Sequence, residues 1–280
     1  MAKKKTEAKP EVVEAELLIE KPAEGLATEL GEIKEIEEVV VEEVKKRGSF
    51  EKESWKPKTS LGIKVKNGEV TKIDYALDKR IKILEPEIID ALLPNLTTDL
   101  LMIGQSKGKF GGGQKRVFKQ TQKKTQEGNK PNFATLAVVG NEDGYVGIGY
   151  GKSKETVPAR EKAIRHAKLN VIKIRRGCGD WGCGCNDSHT VPFKVTGKIG
   201  SVELTLIPAP KGTGLKIEKE CQKILKLAGI KDVWSRSEGQ TRSKLNMLTA
   251  CFKALQKLVA FKLEAKNADA LNVIEGGISR

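Results

Sequence analysis

Apolar residues recur along this chain in two rhythms, and each change of rhythm marks a new element. Steps of three and four through Leu30, Ile33, Ile36, Val40 and Val44 predict a short amphipathic helix. The pattern lasts barely two heptads, too short for a coiled coil. It sits in residues 1–54, a Glu-, Val- and Lys-rich stretch with no aromatic before Phe50 and the composition of a disordered acidic extension. The body begins near Trp55. Residues 55–94 read as a lead-in segment, in which "EPEIIDALLP" (Glu85–Pro94) predicts a short helix with Ile88, Leu92 and Leu93 inward and a proline stop. "FATLAVVG" and "YVGIGYGK" flank Asn141–Gly144, "NEDG", a turn sequence that predicts a β-hairpin. A helix is expected from about Lys154 to Lys173, with Pro158 in its first turn, where a missing N–H costs nothing. Its inner stripe is Ala159, Ala163, Ala167 and Val171.

The rhythm returns to strands after residue 190. Val202, Leu204 and Leu206 alternate with polar neighbours, and Gly200-Ser201 offers the bend before them. Two helices follow. The first places Ile217, Cys221, Ile224, Leu225 and Ala228 on one face and stops at Gly229. The second, near Arg242 to Phe261, is expected to bury Leu245, Leu248, Phe252, Leu255 and Val259. Residues 264–280 read as a mobile tail. The order predicts two small α+β domains that pack together, joined by a cysteine-rich junction at 176–190.

Charge changes the picture more than length does. The net charge is +14, yet residues 1–47 hold 13 Glu against nine Lys or Arg, so the remaining residues carry +18. A body that basic repels itself unless a polyanion compensates, and nucleic acid is the commonest one. No stretch approaches the roughly 20 apolar residues of a membrane span. The N-terminal "MAKKKTEAKPEVVEAELL" lacks an apolar core and a small-residue cleavage site, so it is not read as a secretory signal. Five cysteines without an export signal are expected to be reduced thiols in a cytoplasm.

The basic residues cluster in Gly104–Lys130, whose 27 positions hold eight Lys or Arg and one acid, Glu127. Lysines on a glycine-rich backbone can follow an irregular phosphate path. RNA contact is therefore expected from Lys107, Lys109, Lys115, Arg116, Lys119, Lys123 and Lys124, with Phe110 or Phe118 stacking on bases. "GKFG" (Gly108–Gly111) fits the GxxG of a KH domain only at the level of chance. Gly151-Lys152-Ser153 ends like a P-loop, but the required earlier glycine is Val146. The glycines of that strand are instead expected to mark close approach of another molecule. "PAPKGTGL" (Pro208–Leu215) lies between a strand and a helix, where backbone N–H groups can hold a phosphate. It faintly resembles the phosphate loop of GHMP-type small-molecule kinases, those related to galactokinase.

Cys178, Cys183, Cys185 and His189 follow the spacing C-x4-C-x-C-x3-H, with glycines at 177, 179, 182 and 184 to let the chain fold around an ion. Cys3His is a standard structural zinc set. The knuckle spacing C-x2-C is absent, and free thiols in a glycine turn or iron–sulfur use are the alternatives. Cys221 and Cys251 lie on apolar helix faces as core cysteines. No G-x-S-x-G occurs, and the other histidine, His166, has no evident carboxylate partner, so no enzyme class stands out.

"VVGNEDGYVGIGYGKSKE", "AKLNVIKIRRGCG", "HTVPFKVTGKIGSVELTLIPAPKGTGL" and "LAGIKDVWS" together resemble the ribosomal S-five family of the small subunit (S-two in eukaryotic nomenclature) over about Trp55 to Leu263. "EPEIIDALLP" and the cysteine cluster point to its archaeal branch. The resemblance implies a fold similar to a double-stranded-RNA-binding domain over residues 95–175. Over 191–263 it implies a β–α domain of the S-five second-domain type, related in fold to those kinases. It also implies a structural, non-enzymatic role in the cytoplasm: binding small-subunit rRNA, neighbouring the S-four and S-eight proteins, lining the mRNA entry path and supporting accuracy. Lys152, with Lys154 beside it, Arg175, Arg176 and Lys211 match positions that contact the RNA backbone in the family. Members from other lineages lack the cysteines, so a metal here would serve local structure. A phosphotransferase built on "PAPKGTGL" and a non-ribosomal zinc-dependent regulator are the rival readings.

Overall fold

The computed structural model describes residues 55–106 and 115–277. The amphipathic segment read over 30–44 and the loop residues Lys107, Lys109 and Phe110 lie outside them. Three short helices lead in: α1 (Ser60–Lys66), α2 (Asp74–Asp78) and α3 (Glu87–Leu92). Thr59 caps α1, its side-chain oxygen accepting from the Gly62 N–H at 3.1 Å. Ile88 and Ile89 of α3 are fully buried with Trp55, Leu61, Val65 and Ala76.

The first sheet is antiparallel, built from β1 (Thr97–Leu101), β2 (Lys119–Thr125), β3 (Gly128–Gly140), β4 (Tyr145–Ser153) and β5 (Val171–Lys173). The order is β1-β3-β4-β5. The 13-residue β3 is long enough to take two partners on one edge, β2 along 128–134 and β1 along 136–140. Residues expected to form a loose basic loop are therefore partly a hairpin, with Lys123 opposite Lys130. Its strand "KQTQKKT" has no apolar alternation to betray it, because nearly every position is exposed. The "NEDG" hairpin joins β3 to β4 as expected. The Asn141 side chain accepts from the N–H groups of Asp143 (2.9 Å) and Tyr145 (3.1 Å), and Gly144 takes φ +90°.

Helix α4 (Thr156–Leu169) lies on this sheet through Ala159, Ala163 and Ala167, all fully buried. It ends four residues before the expected limit, because β-branched Val171 and Ile172 join the sheet beside β4. Gly147, Gly149 and Gly151 face it. A Cβ on Gly149 would stand 2.1 Å from the Ala167 nitrogen and 2.2 Å from the Ala163 oxygen. The molecule these glycines approach is the chain's own helix, not a partner.

After β6 (Arg175–Arg176) a second sheet follows: β7 (Val195–Ile199), β8 (Val202–Ile207), β9 (Leu215–Lys216) and β10 (Val233–Glu238), in the order β7-β8-β10-β9. Helix α5 (Lys219–Leu227) packs on β1 and β3 of the first sheet, and α6 (Lys244–Ala260) on β7 and β8 of the second. The two helices also touch, so the halves share one buried cluster running from Leu101, Val138 and Ile148 to Leu204, Ile224 and Leu255. Cys221 and Cys251 are core residues within it. Leu245, expected inside, is 38% exposed, and Leu258 takes an inward place on α6.

Residues 264–277 are not a loose tail. They form α7 (Ala265–Ala270) and β11 (Ile274–Glu275), and β11 pairs antiparallel with β6, placing Ile274 opposite Arg176. The Cys178 N–H also donates to the Leu271 carbonyl at 2.8 Å. An otherwise open strand edge at Arg175–Arg176 is completed by this distant segment.

Candidate RNA-binding face and cysteine–histidine cluster

Directly opposed residues of an antiparallel pair point to the same side of the sheet. The register places Lys119 opposite Ala134 and Ala134 opposite Lys152, one row across three strands. Lys123 and Lys130 share that side by parity. The glycines of β4 face α4, so this row lies on the other side of the sheet, beyond the end of the buried cluster. Lys119, Lys123, Lys124, Lys152 and Lys154 are exposed, and no described residue lies at ion-pair distance from them. Lys130 pairs with Glu127 at 2.9 Å, a contact so exposed that it is worth little. Tyr150 stands two residues from Lys152 on the same side and is 43% exposed. Sequence reading missed Tyr150 and Lys130; the glycine alternation of β4 was the available signal, since it fixes which residues face outward.

The other candidate cations divide. Lys115 and Arg116 sit at the hairpin base, where the Gly104 N–H donates to the Arg116 carbonyl at 2.7 Å. Arg175 and Arg176 turn into the protein. Arg175 donates to Glu275 and to the carbonyls of Leu258 and Phe261. Arg176, 4% exposed, donates to Asp143 at 2.7 Å and to the Gly276 carbonyl at 3.0 Å. Their guanidinium groups are held internally, away from the lysine row. Lys211 is exposed and pairs with Asp187.

The cluster residues, far apart in spacing rules, meet in space. The ligand atoms of Cys178, Cys183, Cys185 and His189 all lie within 4.8 Å of one another. Cys183 and Cys185 sulfurs are 3.1 Å apart, Cys185 and Cys178 sulfurs 3.6 Å, and Cys183 Sγ is 3.6 Å from His189 Nε2. All three thiols are free. Burial pushes the Cys178 thiol up to about 12. Cys183 is drawn down to about 6 by hydrogen bonding from Cys185 and from the backbone N–H groups of Lys211 and Cys185.

Behind the histidine stands a residue sequence reading passed over. His189 Nδ1 is 2.8 Å from Asp232 Oδ2, both side chains buried. The second oxygen of Asp232 accepts from the N–H groups of Gly212 (3.1 Å) and Gly214 (2.8 Å). This corrects the phosphate-loop reading of "PAPKGTGL". Two of the amides that would have held a phosphate already hold an internal carboxylate. Nothing local marks Asp232, which lies 43 residues from its histidine.

Known proteins match this sequence in the same order. The family model described as ribosomal protein S5, N-terminal domain, matches residues 114–175, and that of the C-terminal domain matches residues 197–268. The small ribosomal subunit protein uS5 of Nanoarchaeum equitans is 50% identical over 206 residues, 74% of this chain and 88% of its own length. The protein of the same name from Methanosphaera stadtmanae is 49% identical over 226 residues, 81% and 93% of the two chains. That of Pyrobaculum calidifontis is 47% identical over 209 residues, 75% and 96%. With both domain models in sequence order and such identity along most of its length, the chain belongs to the ribosomal protein S5 family.

Proposed function

We propose that this S5-family chain works as a structural constituent of the small ribosomal subunit and lays the lysine row Lys119, Lys123, Lys130 and Lys152 against rRNA. Membership of the family makes it a non-enzymatic ribosomal component, and the phosphotransferase alternative has no footing there. The observation that carries the RNA face is a one-signed row on a sheet surface, whose charges other than Lys130 meet no acid among the described residues. Lysines so placed gain by releasing counterions from phosphates, and Tyr150 among them offers a ring on which a base can stack. The succession α3-β1-β3-β4-α4, two helices around three antiparallel strands, supports the likeness to a double-stranded-RNA-binding domain. Lys154 and the hairpin-base residues Lys115 and Arg116 extend the face, while Lys211 stands apart from it. The S-four and S-eight family neighbours, the mRNA entry path, the support of accuracy and a cytoplasmic, ribosome-bound location follow from the family resemblance. No helix among the described residues is long and apolar enough to cross a membrane.

Binding of the full chain to small-subunit rRNA over a salt series tests the face. Replacing Lys119, Lys123 and Lys152 together by Ala flattens the slope of log K against log salt by about 2 to 3, one phosphate contact per lysine. An unchanged slope places the contact elsewhere.

A further inference from the structure

We infer that Cys178, Cys183, Cys185 and His189 form a closed structural zinc site whose histidine is aimed by Asp232, and that the ion thereby pins the 210–214 turn to the junction between the two sheets.

Four soft or borderline donors converge here, three sulfurs and one imidazole nitrogen, the set that tetrahedral structural zinc takes. Zn–S bonds of about 2.3 Å at tetrahedral angles put sulfurs roughly 3.8 Å apart. Cys185 and Cys178 at 3.6 Å stand close to that spacing, and Cys183 and Cys185 at 3.1 Å need to open by several tenths of an ångström. Glycines on both sides of the cysteines give the backbone that freedom: a Cβ at Gly184 would meet nothing within 4 Å. Protein atoms supply all four positions, so no place is left for a reacting water, and the role is structural.

The surroundings are those of a metal centre. A ligating histidine characteristically gives its second ring nitrogen to a carboxylate, which fixes the tautomer and the ring plane. Asp232 does this at Nδ1, leaving Nε2 toward the sulfurs. Zinc with three thiolates carries a net charge of about −1. The chain of contacts then runs from the ion through His189 to Asp232, and from Asp232 to the amides of Gly212 and Gly214. Cys178 adds the third anchor, its N–H held by the Leu271 carbonyl. Three segments distant in sequence are tied at one point.

The full chain, purified under reducing conditions, is expected to hold about one equivalent of zinc. Cobalt in its place gives the strong visible and near-ultraviolet bands of a tetrahedral thiolate complex, which a free-thiol glycine turn does not. Because this readout needs no variant, it stands even where Cys185→Ser fails to fold. Asp232→Asn weakens zinc about 10- to 100-fold in competition with a chelator, and Asp232→Glu restores part of the loss. Stripping the metal speeds amide exchange at Gly212 and Gly214 while leaving that of β3 unchanged. A reduced chain that binds neither zinc nor cobalt overturns the site, as does a chain in which Cys183 and Cys185 have simply oxidised to a disulfide. Unchanged exchange at the two glycines on metal removal overturns the pinning of the turn.

Discussion

Gly149→Ala tests how closely helix and sheet are joined in the first half of the protein. The added Cβ would lie 2.1 Å from the Ala167 nitrogen and 2.2 Å from the Ala163 oxygen, where real Cβ atoms essentially never come within 3.0 Å. Both struck atoms are backbone, so no rotamer relieves the clash and α4 must move out by about 0.9 Å. A gap of that width forfeits a quarter to a half of each dispersion contact along the face. The fully buried Ala159, Ala163 and Ala167 all lose that way. Overpacking typically costs 1–3 kcal/mol, and a backbone clash belongs at the upper end, about 3 kcal/mol. Against this, Ala restricts the unfolded chain and returns about 0.4–1 kcal/mol. The net expectation is a loss of about 2–3 kcal/mol. In a body of this size that lowers Tm by about 4–12 °C. Urea unfolding of the full chain followed by circular dichroism measures it. Adding Ala163→Gly must not rescue the variant, since the Ala163 side chain is not what the new methyl meets. A Gly149→Ala chain within 1 kcal/mol of the parent, or one rescued by Ala163→Gly, would refute the close-approach account.

Two further outcomes follow from buried polar groups. Burial raises the Tyr145 phenol to about 12, so the folded state favours the neutral ring. Its contribution is present below the unfolded value near 10 and is lost as pH rises from about 10 to about 12. Over that window the parent should lose on the order of 2 kcal/mol more than Tyr145→Phe, in which lysine titration is common to both; parallel stability curves would count against it. Asp143→Ala leaves the Arg176 guanidinium short of its carboxylate in a buried place and should cost about 2–4 kcal/mol, whereas Arg176→Met with Asp143→Ala recovers most of it. Equal losses in the single and double variants would mean that the pair is not what holds this region.

What the sequence disclosed was local. The "NEDG" turn, the alanine stripe of α4 and the stop at Gly229 each follow from residues within a few positions of one another, and each is where it was expected. The strand Lys119–Thr125 was hidden because it buries nothing, and is held only by its ladder to β3. The family resemblance implied phosphate contacts for Arg175 and Arg176, and their internal acids, Glu275 and Asp143, were not legible because they arrive from a distant strand and a distant turn. The four cluster residues were legible by type, yet Asp232 was not: a single aspartate before "VW" carries no pattern until the fold sets it behind His189.

The pairing of β11 with β6 also sets an order of events in time. Arg176 is made 100 residues before the Gly276 carbonyl that it bonds, so the nascent chain emerges with that arginine and the β6 edge unfinished. The lysine hairpin, α4 and the cysteine cluster are all synthesised by then. An interrupted product that stops short of Leu271 therefore carries the lysine hairpin but lacks the strand and the carbonyl that close the β6 edge and the Cys178 N–H. Synthesis of Leu271 to Glu275 is the step that completes the β6 edge, long after the strands it closes have been made.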